Sequence, residues 1–566
     1  MIHLRLRLLF TIFIILLVVS LMVLPVSHLD NMQRISQQND PSRSIEPMFS
    51  LMAEGPQNAV IPVNPILDIE DCWALEDTRS YSESPLVCAM RNGDSVLGFD
   101  ALSRTFYCTL GMDTQESWPE LSLYAESADS VPVEIAWVDD YAYDACADAI
   151  REGYRYELIA YTDQSYEYFG IVFTGLPIVT IHTQEDAVFS EDYIPARVCV
   201  SSAAHDAVIS AAQVHLRGGG QLTAVTKKAY RLELHDLTGG ADKKRREGLL
   251  GMDADSDWLL IGNASDPTAV RNSLCFDLWR RWNEGASAGN MLQDQLVEVF
   301  VRDEYMGLYQ LLQRVQPEKE LIRIGGNPLT DSAVRLVIGT NAGEKPTLNV
   351  KESANMWVEY RYDAENQPMR TFSRFMDFAQ LSLREGKSLE RGRYLSDDAF
   401  CELAEKRIPV SPMMSYFLFS QVCGFTADNV YNNLYIWILE QNDGYVYQVS
   451  PWDMDVSLPV GLEFASAMEL SFYLPLRMLN LDAAGSRREI HKLWQEKRTT
   501  LLSSQSLYDW IIGTEDRINA SGAYLRESEK YHGGAVPLSL SEILYYTENR
   551  LDTIERTLQS EWPVYE

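Results

Sequence analysis

The sequence predicts an α+β protein, with a sheet-rich N-terminal half and a mainly helical C-terminal half. Three observations predict it. From residue 61 to about residue 360, short apolar runs are broken by turn residues, as in SLYAES, VEIAWV, AAQVHLRGG and AYRLELHD. After about residue 365, apolar residues recur at helical spacing, as in MRTFSRFMDFAQLSL and VSPMMSYFLFSQVCGF. Hydrophobic content of 46% and aromatic content of 11% in 566 residues supply ample core, enough for two to four domains at roughly 100–200 residues each.

The chain opens MIHLRLR and then runs through residues 8–26 without a charge. At 1.5 Å per residue that stretch spans roughly 28 Å, nearly a hydrocarbon core. Arg5 and Arg7 precede it, and positive charge stays in the cytoplasm. No small-x-small cleavage site follows. Residues 1–30 are therefore expected to be a cytoplasmic stub and an uncleaved transmembrane helix, with the bulk of the chain extracytoplasmic. Residues 31–60, rich in Ser, Gln, Asn and Pro, form a linker. Residues 61–174 are expected to form a small β-rich domain and residues 175–566 a second, larger one.

The formal net charge is −33. That average field repels a nucleic acid and draws divalent cations and basic partners. Eight cysteines include no Cys-x-x-Cys pair, and the eight histidines show no ligand spacing. Zinc is not expected. Cys72, Cys88, Cys108 and Cys146 fit either two disulfides or unbridged core thiols, and the sequence leaves both open.

In the larger domain, strands are expected in GLPIVTIHT, ARVCVSSA, AAQVHLRGG and AYRLELHD. A helix is expected in SDPTAVRNSLCFDLWRRW, with Ser265 as its N-cap and Val270, Leu274, Phe276, Leu278 and Trp282 as its apolar face. LVEVFVRDEYMGLYQLLQRV gives two strands joined at Arg302–Gly307. The block is thus a mixed sheet with one well-marked helix. Further on, a helix ends at Gly424. A hairpin then runs from NLYIWILE to YVYQVS around a turn at residues 441–444.

Two stretches carry candidate chemistry: TADNVYNNLYIW, residues 426–437, and VYQVSPWDMDVS, residues 446–457. Hairpin pairing brings the start of one strand beside the end of the other. Asn433 and Asp453 should be near neighbours, with Asp428 on the adjoining loop. Two carboxylates and a carboxamide at this spacing match the parts of phosphoryl transfer. One Asp takes the hydroxyl proton, an Asn five residues on holds a metal, and a later Asp holds the metals at the phosphates. Hard oxygen donors favour Mg²⁺ or Mn²⁺. The plain alternative is that Asp428 and Asn433 are loop and capping residues, and that Asp453 and Asp455 cap a helix beginning near residue 455. Upstream, RGGGQLTAVTKK offers a phosphate grip. Gly218, Gly219 and Gly220 let backbone amides approach an anion, and Arg217, Lys227, Lys228 and Arg231 add positive charge. The alternative there is a flexible hairpin with solvated charges.

These runs, with DWLLIGNASDPTAVRNSLCFDL and EYMGLYQLL, occur in order over about residues 175–460 and resemble the spore coat protein H (CotH) kinase-like family. The resemblance does not reach residues 1–170. It implies an atypical, two-lobed protein-kinase-like domain with a mixed-sheet N-lobe and a helical C-lobe, using ATP and a divalent metal. Similar proteins phosphorylate serines on coat proteins. The resemblance implies Asp428 as the catalytic aspartate, Asp453 as a metal ligand, Asn433 as a second metal ligand, and Lys227 or Lys228 as the partner of the nucleotide phosphates. Three departures stand out: a third glycine and Gln221 in the RG turn, Gln313 where a Glu is usual, and VSLPVG after PWDMD. The expected function is metal-dependent transfer of the ATP γ-phosphoryl group to Ser or Thr of a surface or spore-coat protein. The alternatives are a non-catalytic (pseudokinase) surface or coat assembly protein, and a metal-dependent hydrolase.

Overall fold

The computed structural model describes residues 60–564 apart from 63–65, 112–117, 119–120, 128–131, 139–144, 185, 219–225, 237–242, 290, 339–346, 352–354, 364–367, 387, 390–391, 427–428, 431–432, 443 and 460–471. The expected anchor at residues 8–26, the linker that follows it, Gly219, Gly220 and Asp428 lie outside the described residues. Among the described residues, no helix is long and apolar enough to cross a membrane.

Residues 60–174 are β-rich. They form a four-stranded sheet and a seven-stranded sheet over a shared core that includes Met90, Phe106, Ala125, Ile135, Leu158 and Ile171. The longest strand, Ser165–Thr174, pairs antiparallel with Arg155–Tyr161 and parallel with Thr105–Thr109. The segment ends against the next one at an apolar seam of Tyr107, Val172, Ile178, Phe300 and Tyr305. There the Tyr107 and Tyr305 rings stack at 5.5 Å.

The next strands are β1 (Ile178–Thr183), β2 (Ile194–Ser201), β3 (Val208–Arg217), β4 (Ala229–His235), β5 (Asp257–Ile261), β6 (Asp294–Val301) and β7 (Glu304–Gln313). They do not form the expected open mixed sheet. They close into a barrel in the order β1-β2-β3-β4-β5-β7-β6. Closure rests on two non-local pairings, β1 parallel to β6 (Ile178 opposite Glu298) and β5 antiparallel to β7. No local pattern encodes either one. The period of two does survive: Tyr230, Leu232 and Leu234 are buried in the barrel core, while Arg231 and Glu233 alternate with them and stay half-exposed. The β6–β7 turn is tighter than expected. Arg302 and Asp303 alone make it, both left-handed at φ 52° and 58°. Gly307 falls inside β7, at a bulge where the register shifts opposite Val299 and Phe300.

Helix α1 is Arg271–Trp282. It starts six residues beyond the expected N-cap at Ser265. Asn263 and Ala269 are left-handed, which keeps residues 263–270 out of helix. The carboxylate of Asp266 accepts the Thr268 and Arg271 backbone N–H groups and takes over the cap's role. The buried face does carry Leu274, Phe276, Leu278 and Trp282.

Beyond α2 (Pro317–Arg323) lies a five-stranded sheet made of β8 (Ser332–Ile338), β9 (Thr347–Lys351), β10 (Asn355–Asp363), β11 (Leu434–Gln441) and β12 (Gly444–Pro451), in the order β9-β10-β8-β11-β12. The expected hairpin is β11–β12. The helices of the C-terminal part among the described residues are α3 (Pro368–Leu381), α4 (Asp397–Arg407), α5 (Val410–Cys423), α6 (Tyr473–Leu481), α7 (Ser486–Thr499), α8 (Ser504–Ala520), α9 (Ala523–His532) and α10 (Ser541–Glu561). Helix α5 is apolar all round and buried from Tyr416 to Cys423. It ends at Gly424, left-handed at φ 67°. A side chain there would run into the Tyr546 hydroxyl and Pro459. All eight cysteines are thiols, none in a disulfide.

Candidate active site

The register of β11 and β12 places Leu434 opposite Pro451. Asn433 therefore precedes the pair on one strand, and Asp453 follows it by two residues on the other. Asp453 sits in the left-handed region at φ 54°, a conformation that costs a non-glycine residue roughly 1–2 kcal/mol. It is held there from two sides. The Asn429 carboxamide donates to the Asp453 carbonyl at 3.1 Å. The Met454 N–H donates to the Asn272 carboxamide oxygen at 2.8 Å. Met454 is buried, whereas Asp453 is only half-buried. No helix begins at residue 455; residues 455–456 form a turn, so Asp453 and Asp455 are not helix caps.

Asn272, at the start of α1, is itself fixed. Its amide donates to Gln310 at 2.6 Å, and Gln310 donates to Asp294 at 2.8 Å. Arg280 binds the other Asp294 oxygen at 2.6 Å. This buried relay carries the rigidity of the barrel to the Asp453 turn. On the hairpin's other strand, Asn433 is 3% exposed. Its carboxamide oxygen accepts from Arg335 Nη2 at 3.0 Å. Asp428 lies outside the described residues, but its chain neighbour Asn429 is the residue bonded to Asp453.

Arg217 ends β3, half-buried and paired with Ala229, and Gly218 follows it exposed at φ 113°. Lys228 is half-buried, and its carbonyl accepts from the Tyr309 hydroxyl at 2.8 Å. Lys227 is 4% exposed. Its ammonium donates to Glu527 on α9 at 2.5 Å and to the Leu308 carbonyl at 2.6 Å, and it faces the Tyr309 and Tyr531 rings at 4.9 and 5.1 Å. Burial pushes the Lys227 ammonium below the usual lysine value, and Glu527 opposes that shift. The other Glu527 oxygen accepts the Leu308 N–H at 2.7 Å, so one carboxylate ties the lysine to β7. Gly307, at φ 96°, makes this approach possible, since a Cβ there would run into that carboxylate. Arg231 is engaged by Asp257 and Glu233 on the barrel surface.

The Lys227–Glu527 pair and the Asp453 turn meet at residues 266–272. Asp266 acts electrostatically on Lys227 and caps Arg271. Tyr524 of α9 donates to the Pro267 carbonyl at 2.8 Å, and Asn272 holds Met454. Three of these residues escaped sequence reasoning. Asn272 had a signal, the Arg-Asn pair that opens α1. Glu527 had none, standing 300 residues from its partner. Arg335 had none either. Gln313, where a carboxylate was sought, instead donates to the Asp253 carbonyl at 2.5 Å.

Among the described residues, no group of three or more His, Cys, Asp or Glu is placed to hold a metal ion. Asp453 offers a hard carboxylate oxygen, and Asn433 a carboxamide oxygen that already accepts from Arg335. That set suits Mg²⁺ or Mn²⁺ shared with phosphates and water, not an all-protein cage.

The family model described as CotH kinase protein matches residues 214–550. The match takes in the β3–β4 hairpin, Asn272, Asn433, Asp453 and Glu527. It covers more than half of the chain, and the chain belongs to the CotH kinase family. No curated protein matches it.

Proposed function

We propose that this kinase-like protein transfers the γ-phosphoryl group of ATP to a serine or threonine of a surface or spore-coat protein, outside the cytoplasm and anchored by residues 8–26. The observation that carries the reading is the strained Asp453 turn, locked by Asn272 and Asn429 and joined through residues 266–272 to a buried lysine–glutamate pair. Strain held in place by a surrounding network points to function.

In this reading Asp453 would hold Mg²⁺ or Mn²⁺, with Asn433 at the position of the pattern's second metal ligand, and the ion would supply charge neutralisation at the phosphates when bound with ATP. Asp428 takes the hydroxyl proton of the acceptor. The new bond forms between that oxygen and the γ-phosphorus, the β–γ bridging bond breaks, and ADP leaves. Arg217 and Lys228, with the backbone of Gly218 and Gly219, hold phosphate oxygens at the mouth of the β3–β4 hairpin. Lys227, already engaged by Glu527, sets a fixed positive charge behind them. The acidic surface draws a basic acceptor segment.

The burial of Lys227 favours one other reading. A lysine engaged by Glu527 and the Leu308 carbonyl is also what a non-catalytic assembly protein would keep as a strut. The test is incubation of the full-length chain with labelled ATP and Mg²⁺ or Mn²⁺, beside Asp453→Ala. Metal-dependent labelling of protein, abolished in the variant, is expected. Nucleotide binding without transfer in the wild type would make the chain a pseudokinase, and no nucleotide binding would sink phosphoryl transfer altogether and leave the assembly reading.

A further inference from the structure

Arg335 lies on β8 directly across from Tyr435 of β11. Asn433 is two residues before Tyr435 and so lies toward the same face of the sheet. The guanidinium reaches diagonally back along the strand and donates to Asn433 Oδ1 at 3.0 Å. The oxygen that the two-metal pattern of phosphoryl transfer would give to a second divalent ion therefore already accepts from a positively charged group. An ion on that oxygen, at the roughly 2.1 Å of a Mg²⁺–O bond, would stand within about 5 Å of the guanidinium and be repelled by it. The residue is an arginine, charged at every relevant pH and shaped to face phosphate oxygens. Its charge acts at the site whichever of its five N–H donors are engaged.

We propose that Arg335 takes the place of one of the two divalent ions. The site then works with a single metal on Asp453, and the guanidinium neutralises the phosphoryl oxygens from the Asn433 side. This inference rests on the nucleotide-binding reading of the site. As the acceptor oxygen–phosphorus bond forms and the bridging bond breaks, negative charge shifts toward the leaving ADP and the equatorial oxygens. A fixed guanidinium stabilises that charge as an arginine finger does.

The test counts ions. The full-length chain is titrated with Mn²⁺ at saturating non-hydrolysable ATP analogue, and free Mn²⁺ is read by electron paramagnetic resonance. Analogue affinity and thermal unfolding are followed in parallel for the wild type, Arg335→Lys and Arg335→Ala. One Mn²⁺ per bound nucleotide is expected in the wild type. Arg335→Lys should keep that count. Arg335→Ala should lower analogue affinity by at least about tenfold and admit a second Mn²⁺. Two Mn²⁺ in the wild type would overturn the proposal. So would an analogue affinity unmoved in Arg335→Ala, which would make the residue a strut between β8 and Asn433. Both results leave the nucleotide site standing. Failure of the wild type to bind the analogue at all would overturn this proposal together with the reading beneath it. Should Arg335→Ala fail to fold, the wild-type count and Arg335→Lys still decide.

Discussion

Lys227 shows why a buried ion pair is both costly and informative. Two charges removed from water are stable only while they face each other, and breaking such a pair costs about 3–5 kcal/mol. Glu527→Gln should therefore destabilise the protein by about that amount in urea unfolding. The double variant Lys227→Met with Glu527→Leu should recover most of the loss, since apolar groups of similar volume replace the pair. The recovered variant separates the two roles. If it binds nucleotide as the wild type does, Lys227 is a strut alone; the kinase reading expects binding to be lost. Asn272→Ala leaves the Met454 N–H buried and unpartnered. It should cost about 1–3 kcal/mol and weaken metal-dependent nucleotide binding, because Asp453 loses one of its two restraints. At this scale legibility followed chain distance. Asn433 and Asp453 were read as neighbours because one hairpin joins them, whereas Glu527 is brought to Lys227 only by the folding of everything between.

Helix α9 is the element that joins the C-terminal helices to the barrel, and it does so with consecutive residues. Arg526 forms a two-pronged bond with Glu298 of β6, both contacts at 2.8 Å, and Glu527 takes Lys227. Burial pushes the Glu298 carboxyl up, but Arg526, together with donors from Thr174 and Tyr305, outweighs it and holds the group below its ordinary value. A carboxyl depressed in the folded state adds stability above its unfolded value, about pH 4.3. That contribution is lost as pH falls through the lower folded value. The midpoint of thermal unfolding should therefore fall steeply on acidification below about pH 4. Glu298→Gln should lower the midpoint at neutral pH and flatten that acid dependence. Gly307→Ala tests the same docking from the β7 side. It adds a Cβ against the Glu527 carboxylate at a left-handed residue and should cost about 1–3 kcal/mol, seen as a lower unfolding midpoint. Helices α5 and α1 and the β11–β12 hairpin were legible because period and turn chemistry are local. The barrel's closure was not, since β1–β6 and β5–β7 pair across more than forty residues of intervening chain in the sequence.

Over the whole molecule, the β-rich segment before residue 175 is packed against the barrel. Phe300 fits against Gly98, where a side chain would overlap its ring. The Tyr305 N–H donates to Asp100 at 3.2 Å and the Ala101 N–H to the Asp303 carbonyl at 2.8 Å. Residues 56–566 form one compact unit. A chain of residues 175–566 alone would present Ile178, Phe300 and Tyr305 to water, and it should aggregate or unfold at a clearly lower temperature than the full chain. An unchanged unfolding midpoint for that fragment would show the seam to be dispensable. From the sequence a second block was expected to start near residue 175, but the sequence carried no sign of the apolar seam, whose members come from strands far apart in the chain. The thiol state likewise needed the structure, because four cysteines in a β-rich segment fit either chemistry until their places are known.

The 300 residues between Lys227 and Glu527 also order events in time. At about 5–20 residues per second, a nascent chain exposes the lysine roughly 15–60 s before its carboxylate exists. Until then the barrel cannot finish closing around that charge without leaving it unpaired. The kinase-like region is therefore completed late, by nearly the last helix to be made. A premature stop anywhere between residues 461 and 526 should yield a product that is cleared by proteolysis and does not accumulate as a shortened protein.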